Sequence, residues 1–194
     1  MRKIPITAGL ILTAAIHTYS LSLNADELIN SCDKCHGENG ISEDADVPSI
    51  AGMSSAYLEA SMAAYTDGSR TAREYGKKDM KTIVAPLSAN VLKKLADHYS
   101  SLPFVAAKQE FDSTLAASGK KVHNRYCEKC HTEGGSLAED DSGILAGQWQ
   151  PYLLEEMLQY QSGGRSGDRK MISTFKGLTE ENVKELAEFY ASQQ

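Results

Sequence analysis

The pentapeptide Cys32-Asp33-Lys34-Cys35-His36 returns 95 residues later as Cys127-Glu128-Lys129-Cys130-His131, and the two copies use every cysteine in the 194-residue chain. C-x-x-C-H is the attachment signature of c-type haem, in which two thiols add across the vinyl groups and the adjacent histidine ligates the iron. Other uses of paired cysteines fit less well. A thioredoxin-like dithiol needs a βαβ setting, whereas both copies sit in helix and loop patterns. A four-cysteine zinc site is built from closely spaced pairs and asks for no histidine after each. Structural disulfides suit an exported chain but leave the repeated histidine unexplained. Two covalently bound haems c are therefore expected, one on Cys32, Cys35 and His36 and one on Cys127, Cys130 and His131.

More than the haem motif is repeated. At the same offset Ala51-Gly52 maps onto Ala146-Gly147, Tyr57-Leu58 onto Tyr152-Leu153, Met62 onto Met157, Tyr65 onto Tyr160, Gly68 onto Gly163 and Arg70 onto Arg165. The offset then falls to 91, pairing Met80 with Met171, Leu87-Ser88 with Leu178-Thr179, Leu95-Ala96 with Leu186-Ala187 and Tyr99 with Tyr190. Two units of this length are domain-sized, which makes the chain a tandem duplication and not a solenoid. The expected organisation is a leader over 1–25, a first domain over 26–103 and a second over 104–194. Apolar residues at helical spacing predict helices over 54–65, 88–100, 150–160 and 179–192, with 112–126 leading into the second haem motif and a shorter 26–31 into the first. Ser88 and Thr179 are plausible N-caps, and no stretch alternates as a strand does. The fold class is all-α.

The N-terminus carries Arg2 and Lys3, an apolar run from Ile4 to Ile16 and a polar stretch ending near Ala25, the outline of a secretory leader. Cleavage after Ala25 is expected, an uncleaved anchor being the alternative. Pro5 and the shortness of the run argue against a stable membrane span. Export matches the chemistry, because bacteria attach haem covalently outside the cytoplasm, and the periplasm is the expected compartment. The mature chain keeps all 26 acidic side chains. That balance excludes nucleic acid as a partner and favours encounter with basic protein faces.

Helix, C-x-x-C-H, loop, helix, methionine loop and final helix follow one another twice. In this order the chain resembles the dihaem class I cytochromes c of the c-four type along nearly all of its mature length, which implies a tandem pair of class I cytochrome c domains, each enclosing one haem. The second half is similar to the cytochrome subunit of flavocytochrome c sulfide dehydrogenase. That resemblance rests on Ala107-Lys108-Gln109, Phe111-Asp112, Tyr126 to His131, Glu133-Gly134-Gly135, Ile144 to Trp149, Pro151-Tyr152-Leu153 and Phe189 to Gln194. It implies a flavin-containing, sulfide-oxidising partner that delivers electrons, an external electron acceptor, and no substrate chemistry on this chain. A free-standing shuttle to a terminal oxidase or reductase satisfies the same motifs. A haem enzyme such as a peroxidase or a thiosulfate-oxidising dihaem protein needs an open or unusual sixth position, and the absence of a spare cysteine and the matched methionines argue against it.

The resemblance puts the second axial ligand in the loop before each final helix, at the matched Met80 and Met171. Met62 and Met157 also match but lie on apolar helix faces, as core residues do, and Met53 falls on Gln148. His98 and His123 lack histidine counterparts, at Phe189 and Leu28 respectively, and are read as exposed or partly packed. A carbonyl accepting the proximal histidine N–H is expected at Pro48, with Gly143 in the matched place. Arg70 and Arg165 suit either haem propionates or solvent. Tyr57 and Tyr152 suit propionates or an aromatic core, and Trp149 haem packing or a propionate. The acidic runs 43–46 and 139–141 read as solvated loops.

Overall fold

The structure, a computed structural model, describes residues 25–74 and 78–194. Apart from Ala25, the expected leader lies outside the described residues. The first half contains α1 (Ala25–His36), α2 (Ser55–Asp67), α3 (Met80–Val84) and α4 (Ala89–Ser100). The second contains α5 (Ser113–Tyr126), α6 (Thr132–Gly135), α7 (Gln150–Ser162), α8 (Arg169–Gly177) and α9 (Glu180–Ala191). Among the described residues there is no extended strand; an isolated antiparallel bridge joins Arg70 to Arg165.

The structure departs from the sequence reading at α1, α3 and α8. The first helix does not end at Ser31 but carries the whole haem motif to His36. The methionines expected in loops lie in helices, Met80 opening α3 and Met171 within α8. An aspartate caps each: the Asp79 carboxylate accepts from the Thr82 N–H at 2.6 Å, and Asp168 from the Lys170 N–H at 2.8 Å. Helices this short take their stability from such caps and from packing, and offer no long periodic run to read.

The duplication is visible in the hydrogen bonds. Ile50 and Ala51 donate to the Gly40 carbonyl at 2.8 and 3.1 Å, and Leu145 and Ala146 repeat both distances on Gly135. Gly52 donates to Tyr99 and Gly147 to Tyr190, each at 2.9 Å. These bonds pin the chain after each haem motif to the final helix of its half. The first core gathers Met53, Leu58, Ala96 and Tyr99. The second is larger, with Tyr152, Leu153, Met157, Phe175, Val183, Leu186 and Tyr190 among its members. Gly119 lets α5 cross closely over α9, since a Cβ there would meet the Glu185 carbonyl oxygen at 1.9 Å.

The connecting segment binds mainly to the second half. Ala107 donates to the Gly147 carbonyl at 2.7 Å. The Gln109 amide donates to the Gln148 carbonyl and accepts from the Gln150 N–H. Among the described residues no helix is long and apolar enough to cross a membrane.

Candidate haem crevices and the wall between them

Each half opens into a largely apolar crevice that brings its repeated motif together with its methionine. Cys32, Cys35, His36 and Met80 line the first, and Cys127, Cys130, His131 and Met171 line the second. Met62 and Met157 also line their respective crevices, so the wall offers two thioethers in each half in addition to the shared Met53. The second crevice encloses about 650 Å³. Protein interiors leave few voids larger than a water molecule, so a crevice of this size is shaped for a large apolar group.

The ligating chemistry fits haem. The ring Nδ1 of His36 donates to the Pro48 carbonyl at 2.9 Å, which leaves Nε2 for iron and meets the expectation for Pro48. Burial pulls the His36 pKa down, and it pushes that of His131 down to about 4, with the neighbouring His123 adding to the effect. Both imidazoles are thus held neutral, the form that binds a metal. Burial raises the Cys32 thiol and pushes Cys127 up to about 11. A redox dithiol works through a lowered thiol pKa, so these cysteines have the wrong electrostatics for that role.

Gly143 differs from Pro48 for a steric reason. Its φ is +77°, and a Cβ there would stand 2.6 to 3.0 Å from three carbons of the Tyr57 ring. The tyrosine of the first half packs onto the backbone beside the second proximal histidine, where only glycine fits. The Nδ1 of His131 has no partner in hydrogen-bond geometry, although the Gly143 carbonyl is near enough to raise its pKa slightly.

The wall between the crevices is polar and reciprocal. Arg70 donates to the Tyr152 hydroxyl at 3.1 Å, and Arg165 to the Tyr57 hydroxyl at 3.5 Å. Arg70 lies over the Tyr65 ring and Arg165 over Tyr160, at 4.4 and 4.7 Å from the ring centroids. Thr71 N–H donates to the Gly164 carbonyl, and Ser166 N–H returns the bond to Ser69. Both guanidiniums bind Glu156, Arg70 at 2.8 Å. Neither arginine is a solvated surface residue: Arg70 is 5 % exposed and Arg165 11 %. Burial resists ionisation of both tyrosine hydroxyls, but Arg165 and Arg70 outweigh it at Tyr57, whereas Glu156 reinforces it at Tyr152. The two tyrosines are therefore shifted in opposite directions.

Tyr57, Arg70, Tyr152 and Glu156 line both crevices. Two arginines against one carboxylate leave a surplus positive charge there, and the buried Arg70 Nε has no partner. An anionic group such as a haem propionate suits that donor.

Other residues hold the halves together. The Trp149 indole N–H donates to the Ser42 carbonyl at 2.9 Å, a role the sequence did not suggest. The Gln148 amide accepts from the Ser49 N–H and donates to its carbonyl. The acidic runs are only partly solvated loops: the Ala45 carbonyl accepts from Tyr152 N–H, and Asp140 holds both the N–H and hydroxyl of Thr132.

His123 corrects the sequence reading most clearly. It is fully buried. Its Nδ1 lies 2.9 Å from the Tyr190 hydroxyl and its Nε2 2.5 Å from Glu128 of the second haem motif. In the first half the hydroxyl of Tyr99 reaches Asp33 directly at 2.8 Å. The second half has thus inserted an imidazole between matched partners. The signal in the sequence was its departure from the apolar Leu28.

A protein-family model described as cytochrome c oxidase, cbb3-type, subunit III matches residues 114–189. The thiosulfate dehydrogenase electron acceptor of Thiomonas intermedia is 27% identical over 84% of this chain and 78% of that protein. Cytochrome c4 of Pseudomonas aeruginosa is 27% identical over 74% of this chain and 73% of its own. The solved cytochrome c4 of Acidithiobacillus ferrooxidans superposes with a TM-score of 0.71 at 26% identity, covering 84% of this chain and 99% of that one. In sequence and in fold the chain is similar to the dihaem class I cytochromes c of the c4 type. A thiosulfate dehydrogenase from Marichromatium purpuratum shares the fold of this cytochrome over 36% of its own length, with a TM-score of 0.69 at 24% identity. With a C-x-x-C-H motif lining each crevice, the chain carries two covalent haems c and transfers electrons.

Proposed function

We propose that this cytochrome is a periplasmic two-haem relay that takes electrons from an oxidoreductase acting on a reduced sulfur compound and passes them to an external acceptor. The observation that carries it is the shared wall: Tyr57, Arg70, Tyr152 and Glu156 border both crevices, so the two centres are neighbours within one chain. The haem-bearing units are 26–103 and 104–194. Cys32, Cys35 and His36 hold one haem with Met80 as the sixth ligand, and Cys127, Cys130 and His131 hold the other with Met171. Bound haem supplies one-electron carriage, and a thioether in the sixth position raises its potential and fills the coordination site. The chain then has no place for substrate at iron. Its residues fix the imidazoles as neutral ligands, exclude water and hold the two halves together.

The choice of methionines is tested by Met80→Ala and Met171→Ala against Met62→Ala and Met157→Ala. The expected result is loss of the methionine-to-iron charge-transfer absorbance of one haem in each of the first pair only; loss in the second pair instead reverses the assignment.

For the donor, the resemblance of the second half supports a flavin-containing sulfide dehydrogenase subunit. The thiosulfate dehydrogenase electron acceptor among the relatives favours a second reading, in which the donor is a thiosulfate dehydrogenase. Stoichiometric co-purification with a flavin-containing chain, and haem reduction on addition of sulfide, support the first. Reduction only by thiosulfate with its dehydrogenase supports the second.

A further inference from the structure

The wall between the crevices obeys the internal repeat in every charged group but one. Arg70 and Arg165 are counterparts, as are Tyr57 and Tyr152, whereas Glu156 falls on Ser61. Both carboxylate oxygens of Glu156 are engaged, Oε1 by Arg70 and Oε2 by Arg165. The site is nearly dry, so like charges there are weakly screened. Take the carboxylate away and two guanidiniums face each other across the contact between the halves. The same guanidiniums reach into the opposite half, Arg70 to Tyr152 and Arg165 to Tyr57, and each is flanked by the backbone bonds of Thr71 and Ser166. Among the side chains of this wall Glu156 alone offsets the two guanidiniums, beside the surplus charge that suits a propionate.

We propose that Glu156 is the positioning residue that holds the two haem-bearing halves in a single relative orientation, and thereby sets the rate of electron exchange between the haems. This rests on the relay reading above. The repeat also supplies a direct test, because Ser61 lines both crevices as Glu156 does. A carboxylate moved to that matched position meets the same two arginines from the other side.

The experiment compares the haem-loaded full chain as wild type, Glu156→Gln, Glu156→Asp and the double variant Ser61→Glu with Glu156→Ser. Interhaem exchange is followed after photoreduction of one haem, and the spread of the halves by small-angle scattering; the two midpoint potentials are measured alongside. Glu156→Gln is expected to slow exchange about tenfold, the factor equivalent to ~1.4 kcal/mol of lost docking free energy. It should also enlarge the radius of gyration and change the gap between the two potentials, while the methionine-to-iron absorbance stays intact. Glu156→Asp recovers part of the loss, and the double variant recovers exchange and compactness. Unchanged exchange and scattering in Glu156→Gln overturn the proposal, as does a double variant that recovers neither. If Glu156→Gln does not accumulate as a folded protein, the double variant decides alone on the same terms. If the wild type shows no interhaem exchange, the relay reading fails, and scattering still judges the role of Glu156.

Discussion

Gly143→Ala tests the contact that joins the first half to the ligand loop of the second. The residue has φ +77°, a left-handed conformation that costs an L-residue about 1–2 kcal/mol. Its new Cβ would also meet three carbons of the Tyr57 ring at 2.6, 2.8 and 3.0 Å, and an aromatic ring cannot bend away as a flexible chain end does. Overpacking of this kind costs roughly 1–3 kcal/mol. The expected destabilisation is therefore on the order of 2–5 kcal/mol, read as a shift of the urea midpoint of the haem-loaded protein. Gly163→Ala is the internal control. It has φ +83° with nothing within 4 Å of its Cβ, and should show the backbone cost alone. In a Tyr57→Ala background the clash disappears, and Gly143→Ala should fall to the cost of Gly163→Ala, a coupling of about 1–3 kcal/mol. Additivity of Gly143→Ala and Tyr57→Ala within ~0.5 kcal/mol would refute the packing argument, since that is how independent sites behave.

Further outcomes follow from the same structure. His123→Leu, which copies Leu28 of the first half, strands the buried Tyr190 hydroxyl and should cost about 1–3 kcal/mol in a denaturation midpoint; a neutral result would mean that the imidazole bridges nothing. Cys127→Ala should leave one stable haem per chain by pyridine haemochrome, and two would contradict the attachment scheme. Hydrogen bonds from Thr82 hold the Asp79 carboxylate below its ordinary pKa. The cap is therefore fully present above pH ~3.8 and is lost as pH falls through the lower folded value. The methionine-to-iron absorbance of the first haem should weaken in that acid window, and Asp79→Asn should remove this pH dependence.

The duplication, both haem motifs and most of the helices could be read from the sequence because each rests on local pattern: a spaced motif, an apolar period, a capping residue. The two methionine helices were missed, being too short to show a period and dependent on Asp79 and Asp168. The wall between the crevices was not legible because it depends on how two similar units meet, and no periodicity records that. Arg70 reads equally as a propionate partner or a solvated residue until Glu156 and Tyr152 are brought to it from another helix. Some of the signal was nevertheless there. Glu156 against Ser61, Gly143 against Pro48 and His123 against Leu28 all break the internal repeat. Each of these departures turned out to be buried or pressed against a neighbour.

The reciprocal bonds from Thr71 to Gly164 and from Ser166 to Ser69 have the form of a two-fold contact between identical subunits. A true homodimer repeats every residue near its axis, so it can place an even number of carboxylates there or none. With two arginines at the axis, such an assembly would carry an even net charge. Joining both units in one chain removes that restriction, and this chain uses the freedom to place an odd, single glutamate between its arginines. Covalent linkage thus gives the protein a charge state at its centre that symmetric association of two identical haem domains cannot produce.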